Sequence, residues 1–220
     1  MVLIFDLDDT LYPEIEYVRS GFFAVANELN HLFKWPVNES FNLMLKTLDE
    51  KGRGAVFNDL LQYHGKLSKK NVKHCINKYR HHKPNIFLSE DVKSLIKYFP
   101  GNKYLVTDGH KIAQGNKVEA LGISSLFKHV YITHRYGIKN SKPSIYCFDL
   151  IKKREKCDWT EMCYIGDNPN KDFINLKPLG VNTIRIKTRI YDSVEIPYHL
   201  EADTVISSLN EIKFLNFLPK

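Results

Sequence analysis

Two acidic stretches hold the residues most able to do chemistry in this chain. Phe5-Asp6-Leu7-Asp8-Asp9-Thr10-Leu11 follows directly on the apolar run Val2 to Phe5. Asp6 and Asp8 therefore stand one residue apart where a strand is predicted to end. Carboxylates this close repel one another unless a cation or a shared proton intervenes. A hard divalent cation with oxygen ligands, magnesium before others, answers that problem. The plainer alternative is an acidic turn after a strand. Tyr164-Ile165-Gly166-Asp167-Asn168-Pro169-Asn170-Lys171-Asp172 repeats the arrangement. Here Gly166 is read as permitting a sharp turn, Asp167 stands at the strand end, and Asp172 is placed in the first turn of a helix. The alternative is a loop with Asn-Pro turn chemistry and an Asp cap.

Two further loops supply donors. In Val106-Thr107-Asp108-Gly109 a hydroxyl is followed by backbone N–H groups beside a glycine, which together can cradle a phosphate. In Ser141-Lys142-Pro143-Ser144 a lysine beside proline can hold an ammonium group near an anion. Each of these, taken singly, reads as well as an ordinary turn or a solvated lysine.

The elements that must position these residues follow from apolar patterning. Short runs rich in Val, Ile and Tyr recur at Val2 to Phe5, Tyr104 to Val106, Val130 to Ile132, Cys163 to Ile165, Thr183 to Ile186 and Thr204 to Ile206. Helical spacing fills intervals between them, as at Asp91 to Phe99 and Ile145 to Lys153. Strands alternating with helices predict an α/β fold whose parallel sheet is covered on both faces. One long interval breaks the rhythm. From Glu14 to Phe87 the spacing of Val18, Phe22, Val25, Leu29 and Leu32, of Leu43, Leu45 and Leu48, of Val56, Leu60 and Leu61, and of Val72, Ile76 and Tyr79 predicts about four helices and no strand. The expected division is a core of residues 1–13 and 88–220 with a helical insertion, 14–87, after the first strand.

Composition bounds the partners. The chain has 220 residues, 43% hydrophobic and 26% charged, which suits an ordinary globular protein. The formal charge of +7 is spread along the chain without a long cluster, so no nucleic-acid partner is expected. The same field would help draw in a phosphorylated metabolite. No apolar run has the length of a membrane span or a signal sequence. Cys75, Cys147, Cys157 and Cys163 form no C-x-x-C pair, which predicts reduced thiols in a cytoplasmic protein. Nothing in the pattern sets an oligomeric state.

Taken in order, the four loops resemble the motifs of the haloacid dehalogenase superfamily. That superfamily carries D-x-D-x-T, then a Thr or Ser after a strand, then a Lys, then G-D with a further acid. Asp6/Asp8/Thr10, Thr107, Lys142 and Asp167/Asp172 match these, and the resemblance runs to about residue 186. It implies a three-layer, Rossmann-like α/β core with a small helical cap over the active site. It further implies a magnesium-dependent phosphatase acting on a small phosphate ester.

In that reading Asp6 attacks phosphorus and becomes an aspartyl-phosphate, and Asp8 protonates the leaving oxygen and then activates water. Mg2+ binds Asp6, the backbone carbonyl of Asp8, and Asp167. Thr107 with the backbone of Asp108 and Gly109 holds phosphate oxygens. Lys142 neutralises charge and lowers the pKa of Asp6, and Asp172 orients Lys142 or metal-bound water. Thr10 shapes the loop. Position 108 is Asp where many relatives have Asn, and its carboxylate either weakens phosphate binding or points away. Lys139 rivals Lys142 for the motif lysine, with Pro143 favouring Lys142. Asp8 argues against dehalogenation, which needs no leaving-group acid. A sugar phosphomutase of the β-phosphoglucomutase kind shares the motifs, and a non-catalytic phosphate-binding or partner-binding module is the third reading. Glu14, Tyr17, Arg19, Lys51 and Arg53 are the candidates for choosing the leaving group. The stretch Asp9 to Glu14 resembles superfamily members of surface-polysaccharide pathways, a hint of a sugar or nucleotide-sugar phosphate.

Overall fold

The computed structural model describes residues 1–188, 191, 194 and 196–218. The chain forms two compact units, Met1–Pro13 with Phe87–Lys220, and Glu14–Ile86. Strand β1 (Val2–Phe5) opens the first of them.

The smaller unit consists of α1 (Glu14–Phe33), α2 (Val37–Lys51), α3 (Val56–Tyr63) and α4 (Lys69–His81). On α1, Val18, Phe22, Val25 and Leu29 recur every three or four residues, and all are buried against Leu60, Leu61 and Cys75. The expected stripe on α2 needs correction. Met44, with Ser40 and Thr47, is the buried face, while Leu43, Leu45 and Leu48 lie at its margin. Leu43 and Leu45 are two residues apart and do not share a helix face, whereas positions 40, 44 and 47 do. Ser68 caps α4, its hydroxyl oxygen accepting from the Asn71 N–H at 3.1 Å.

The larger unit continues with α5 (Glu90–Tyr98), β2 (Lys103–Thr107), α6 (Lys111–Ala120), β3 (His129–Ile132), α7 (Tyr146–Glu155), β4 (Met162–Gly166), β5 (Asn182–Ile186) and β6 (Thr204–Ile206). The six strands form one sheet in the order β3-β2-β1-β4-β5-β6, every pairing parallel. Successive side chains of β1 alternate between the faces, and both faces are dry. Ile4 lies level with Tyr104 on one neighbour and Tyr164 on the other, and all three pack with Cys147, Phe148 and Ile151 of α7. Leu3 and Phe5 are equally buried, and Phe5 meets the ring of Phe127 edge-on at 6.0 Å. Such near-continuous burial is the mark of a parallel sheet between two helical layers. The fold is thus a three-layer, Rossmann-like α/β core with an all-helical insertion after its first strand.

Two elements differ from the sequence reading. Helix α6 was not foreseen. Asp172 lies in an irregular turn and not in a helix, its N–H bonded to the Asn168 carbonyl at 3.0 Å. Asn168 also accepts from the Asn170 N–H at 3.0 Å through its side chain, so the segment is held by turn bonds. Among the described residues no helix is long and apolar enough to cross a membrane, and all four cysteines are free thiols.

Candidate active site

Three adjacent strands deliver the acidic and hydroxyl groups. Asp6 follows β1, Thr107 ends β2 and Asp167 follows β4, and β1 lies between the other two. The Asp6 N–H reaches the Ile165 carbonyl at 2.8 Å, extending the ladder by one rung. Carboxyl ends of neighbouring parallel strands are where such sheets gather functional groups.

Lys142 is the buried hub. Its Nζ lies 2.9 Å from Asp6 Oδ2 and 2.8 Å from Asp172 Oδ1, and it donates to the Tyr164 hydroxyl at 2.8 Å. Tyr164 in turn donates to Asp172 Oδ1 at 3.3 Å. Burial works against a charge on Lys142, yet Asp172 and Asp6 outweigh it and hold its pKa well above the usual lysine value. The rival Lys139 is exposed in a 3-10 turn, Ile138–Asn140.

Burial is the first influence on Asp6, and the lowering by Lys142 works against it. Asp172 adds to the rise, so Asp6 is pushed up to about 7. Asp167 is pushed up to about 8, first by burial and then by the charges of Asp6 and Asp172. Asp6, Asp167 and Asp172 each offer one oxygen within 4.8 Å of the others. Buried carboxylates that crowd one another in this way form a hard, anionic donor set that fits a divalent cation. The third carboxylate of this cluster is Asp172 and not Asp8.

Gly166 makes the cluster sterically allowed. A Cβ on it would lie 2.6 Å from Asp172 Oδ2. Its role is thus to admit Asp172, and the sharp turn read from the sequence is not needed, since its backbone is ordinary strand. Asp172 Oδ2 also accepts from the Asn168 N–H at 2.9 Å.

Asp8 is engaged by α6. Its two oxygens lie 2.8 Å from Lys117 Nζ, and it also accepts from Gln114 Nε2 at 2.8 Å and from the Tyr12 hydroxyl at 2.7 Å. Gln114 joins the first loop to the second, reaching Thr107 Oγ1 at 2.5 Å and the Asp108 carbonyl at 3.0 Å. Gly109 adopts φ 139°, and a Cβ there would press on Gln114 at 3.4 Å. Thr107 is fully buried. Thr10 is buried in the turn closed by the Leu11 N–H on the Leu7 carbonyl at 3.0 Å.

Both oxygens of the Asp108 carboxylate have partners. Oδ1 accepts from Thr133 Oγ1 at 2.5 Å and from the Lys142 N–H at 3.2 Å, and Oδ2 accepts from Lys171 Nζ at 3.3 Å. Burial raises its pKa, but the Thr133 hydroxyl, Lys171 and Lys142 together hold it below the usual carboxylate range.

Gln114, Lys117, Thr133, Tyr164 and Lys171 were not singled out from the sequence. Gln114 and Lys117 stand three residues apart just after the Thr107–Gly109 loop, a helical spacing that was there to be read. The residues offered for substrate choice make contacts within the helical unit. Arg53 pairs with Glu14 through both guanidinium ends, Lys51 lies 2.6 Å from Asp59, and Tyr17 is buried and donates to the Tyr79 carbonyl at 3.4 Å. Arg19 is exposed.

A family model described as haloacid dehalogenase-like hydrolase matches residues 3–186. The chain belongs to that family. Among curated members, the glyceraldehyde 3-phosphate phosphatase of Methanocaldococcus jannaschii is 30% identical, over 96% of this chain and 94% of that protein. The enzyme of the same name from Pyrococcus furiosus is 26% identical over 96% and 90%. Among solved structures, the HAD-hydrolase YfnB of Bacillus subtilis, bound to magnesium, superposes with a TM-score of 0.66 at 20% identity, covering 98% of both chains. That likeness shows the shared haloacid dehalogenase fold.

Proposed function

We propose that this haloacid dehalogenase-like hydrolase is a magnesium-dependent phosphatase of small sugar phosphates, triose phosphates included, with Asp6 as the nucleophile. The observation that carries the reading is the buried contact of Lys142 with both Asp6 and Asp172, beside Asp167. Phosphoryl transfer asks chiefly for positioning and for charge balance around a dianion. Asp6 is held by Lys142 at the end of the central strand, with one carboxylate oxygen directed at that ammonium. Its other oxygen forms the bond to phosphorus as the ester P–O bond breaks, leaving an aspartyl-phosphate. Asp8 gives a proton to the departing alkoxide, then takes one from the water that cleaves the acyl phosphate, and Asp6 is restored.

Asp6, the backbone carbonyl of Asp8, and Asp167 would hold the magnesium, with Asp172 beside them. When bound, magnesium supplies the positive charge that offsets repulsion between these carboxylates and the phosphate dianion. Thr107 and the N–H groups of Asp108 and Gly109 receive phosphate oxygens. Gln114 keeps that loop and the Asp8 loop in register.

The names of the two archaeal relatives support hydrolysis over mutase chemistry, and a triose phosphate over the nucleotide sugar suggested by Asp9 to Glu14. The test is release of inorganic phosphate from glyceraldehyde 3-phosphate and a panel of sugar phosphates. Turnover is expected with magnesium, and none in excess EDTA or in Asp6→Asn. Isomer formation without phosphate release, or full activity in Asp6→Asn, overturns the proposal.

A further inference from the structure

Position 108 poses a problem of charge. It lies in the loop assigned to phosphate, between Thr107 and Gly109, and its carboxylate has the wrong sign for a neighbour of a dianion. The contacts divide its two oxygens cleanly. Oδ1 is tied to Thr133 and to the Lys142 N–H, which joins the loop after β2 to the two loops that carry those residues. Oδ2 is tied to Lys171, across 3.3 Å. An Asn in this place would keep the first pair of bonds through its carbonyl and would need no counter-ion. An Asp needs one. Lys171 stands at the motif loop after β4, with its side chain 32% exposed, where the Asp108 side chain is 16% exposed. The ammonium thus sits at the rim of the site, and its field reaches Asp6 and opposes the rise in that group's pKa.

We infer that Asp108 and Lys171 are a compensated pair in which Lys171 is the counter-charge that lets a carboxylate occupy the phosphate loop, so that the pair jointly sets the affinity for phosphate. This rests on the assignment of Thr107 to Gly109 as that loop. Neither residue enters the bond-making steps. Each acts through the potential felt by the bound dianion.

The inference fixes opposite signs for the two single changes, which damage to packing would not. Lys171→Met leaves the carboxylate uncompensated, and inorganic phosphate should bind more weakly by roughly 3- to 10-fold, the range for one partly screened charge. Asp108→Asn leaves the ammonium uncompensated and should tighten phosphate by a similar factor. The double variant should return close to the parent value, because the two opposite charge changes cancel. The experiment is calorimetric titration of the full chain with inorganic phosphate in the presence of magnesium, repeated as the KM of a hydrolysed ester. Weakening in both single variants, or an unchanged affinity in Lys171→Met, overturns the pair while leaving the loop assignment standing. A parent protein that binds no phosphate, and keeps its KM in Thr107→Ala, overturns the loop assignment and the pair with it.

Discussion

Lys117 holds its ammonium nitrogen 2.8 Å from each carboxylate oxygen of Asp8. Its side chain is 4% exposed and that of Asp8 18%, so the pair is shielded but not sealed. With Gln114 and Tyr12 also donating, Asp8 is fixed in one orientation by three side chains. In its proposed role of passing a proton both ways, Asp8 needs such fixing more than it needs basicity. Replacing Lys117 by Met should lower kcat by roughly 10- to 100-fold, with a smaller change in KM, since the ground-state phosphate contacts are elsewhere. Steady-state kinetics check this, and Lys117→Arg should recover part of the loss. An unchanged kcat in Lys117→Met would free Asp8 from dependence on α6.

Stability should fall with rising pH in the metal-free protein. Burial pushes Asp6 up to about 7 and Asp167 up to about 8 in the folded chain, well above the ordinary aspartate range. Between about pH 4 and pH 8 the unfolded chain has released these protons while the folded chain still holds them. The folded state then binds more protons, so the unfolding free energy decreases as pH rises through this window. It is greatest below the unfolded value and its contribution is lost above the folded ones. Thermal melts in EDTA at pH 5 and pH 8.5 should show the decline, and Asp6→Asn should show less of it. Added magnesium should raise the melting temperature more at pH 8.5 than at pH 5. The reverse order would contradict the assignment of these carboxylates to a cation.

Tyr164→Phe removes one hydroxyl from a fully buried site and leaves an N–H of Lys142 facing a ring edge. The lost bond to a charged group should cost about 1 to 3 kcal/mol of unfolding free energy. Denaturant titration reads that loss, and it should be accompanied by a fall in kcat as Lys142 shifts against Asp6. Full stability in this variant would mean that the hydroxyl is not needed to satisfy the lysine.

Gly166→Ala should be among the most damaging small substitutions in the chain. The added carbon falls 2.6 Å from a carboxylate oxygen of Asp172, and that residue is 1% exposed, with little room to retreat. Displacing it separates Asp172 from Lys142. Magnesium affinity, read by titration, and activity should fall together. Alanine at the exposed Gly54, where a side chain meets nothing within 4 Å, should change neither.

Much of this architecture was legible in the one-dimensional pattern. The six apolar runs became the six strands, and those of β1, β2 and β4 are near-continuously buried because both faces of the central strands are covered. Asp6, Asp167 and Lys142 stand out in the sequence because each lies beside a strand end or a proline. Helix α6 was missed for a physical reason. Two of its buried positions are Gln114 and Lys117, polar residues facing inward to serve the site, so its apolar stripe is broken where function takes it over. Tyr164 was hidden for the opposite reason, since it reads as an ordinary strand residue and only its hydroxyl is used. The partners of Asp108 come from positions 133, 142 and 171, three loops that no local spacing connects.

An ammonium group carries three hydrogens, and those of Lys142 have three acceptors in place: Asp6, Asp172 and Tyr164. The lysine is thus valence-saturated before any ester arrives. A substrate oxygen can win a bond from it only by evicting one of those acceptors, so recognition at this nitrogen is an exchange reaction and not an addition. On the proposed function, ester capture and the loosening of Asp6 from its restraint then become the same event.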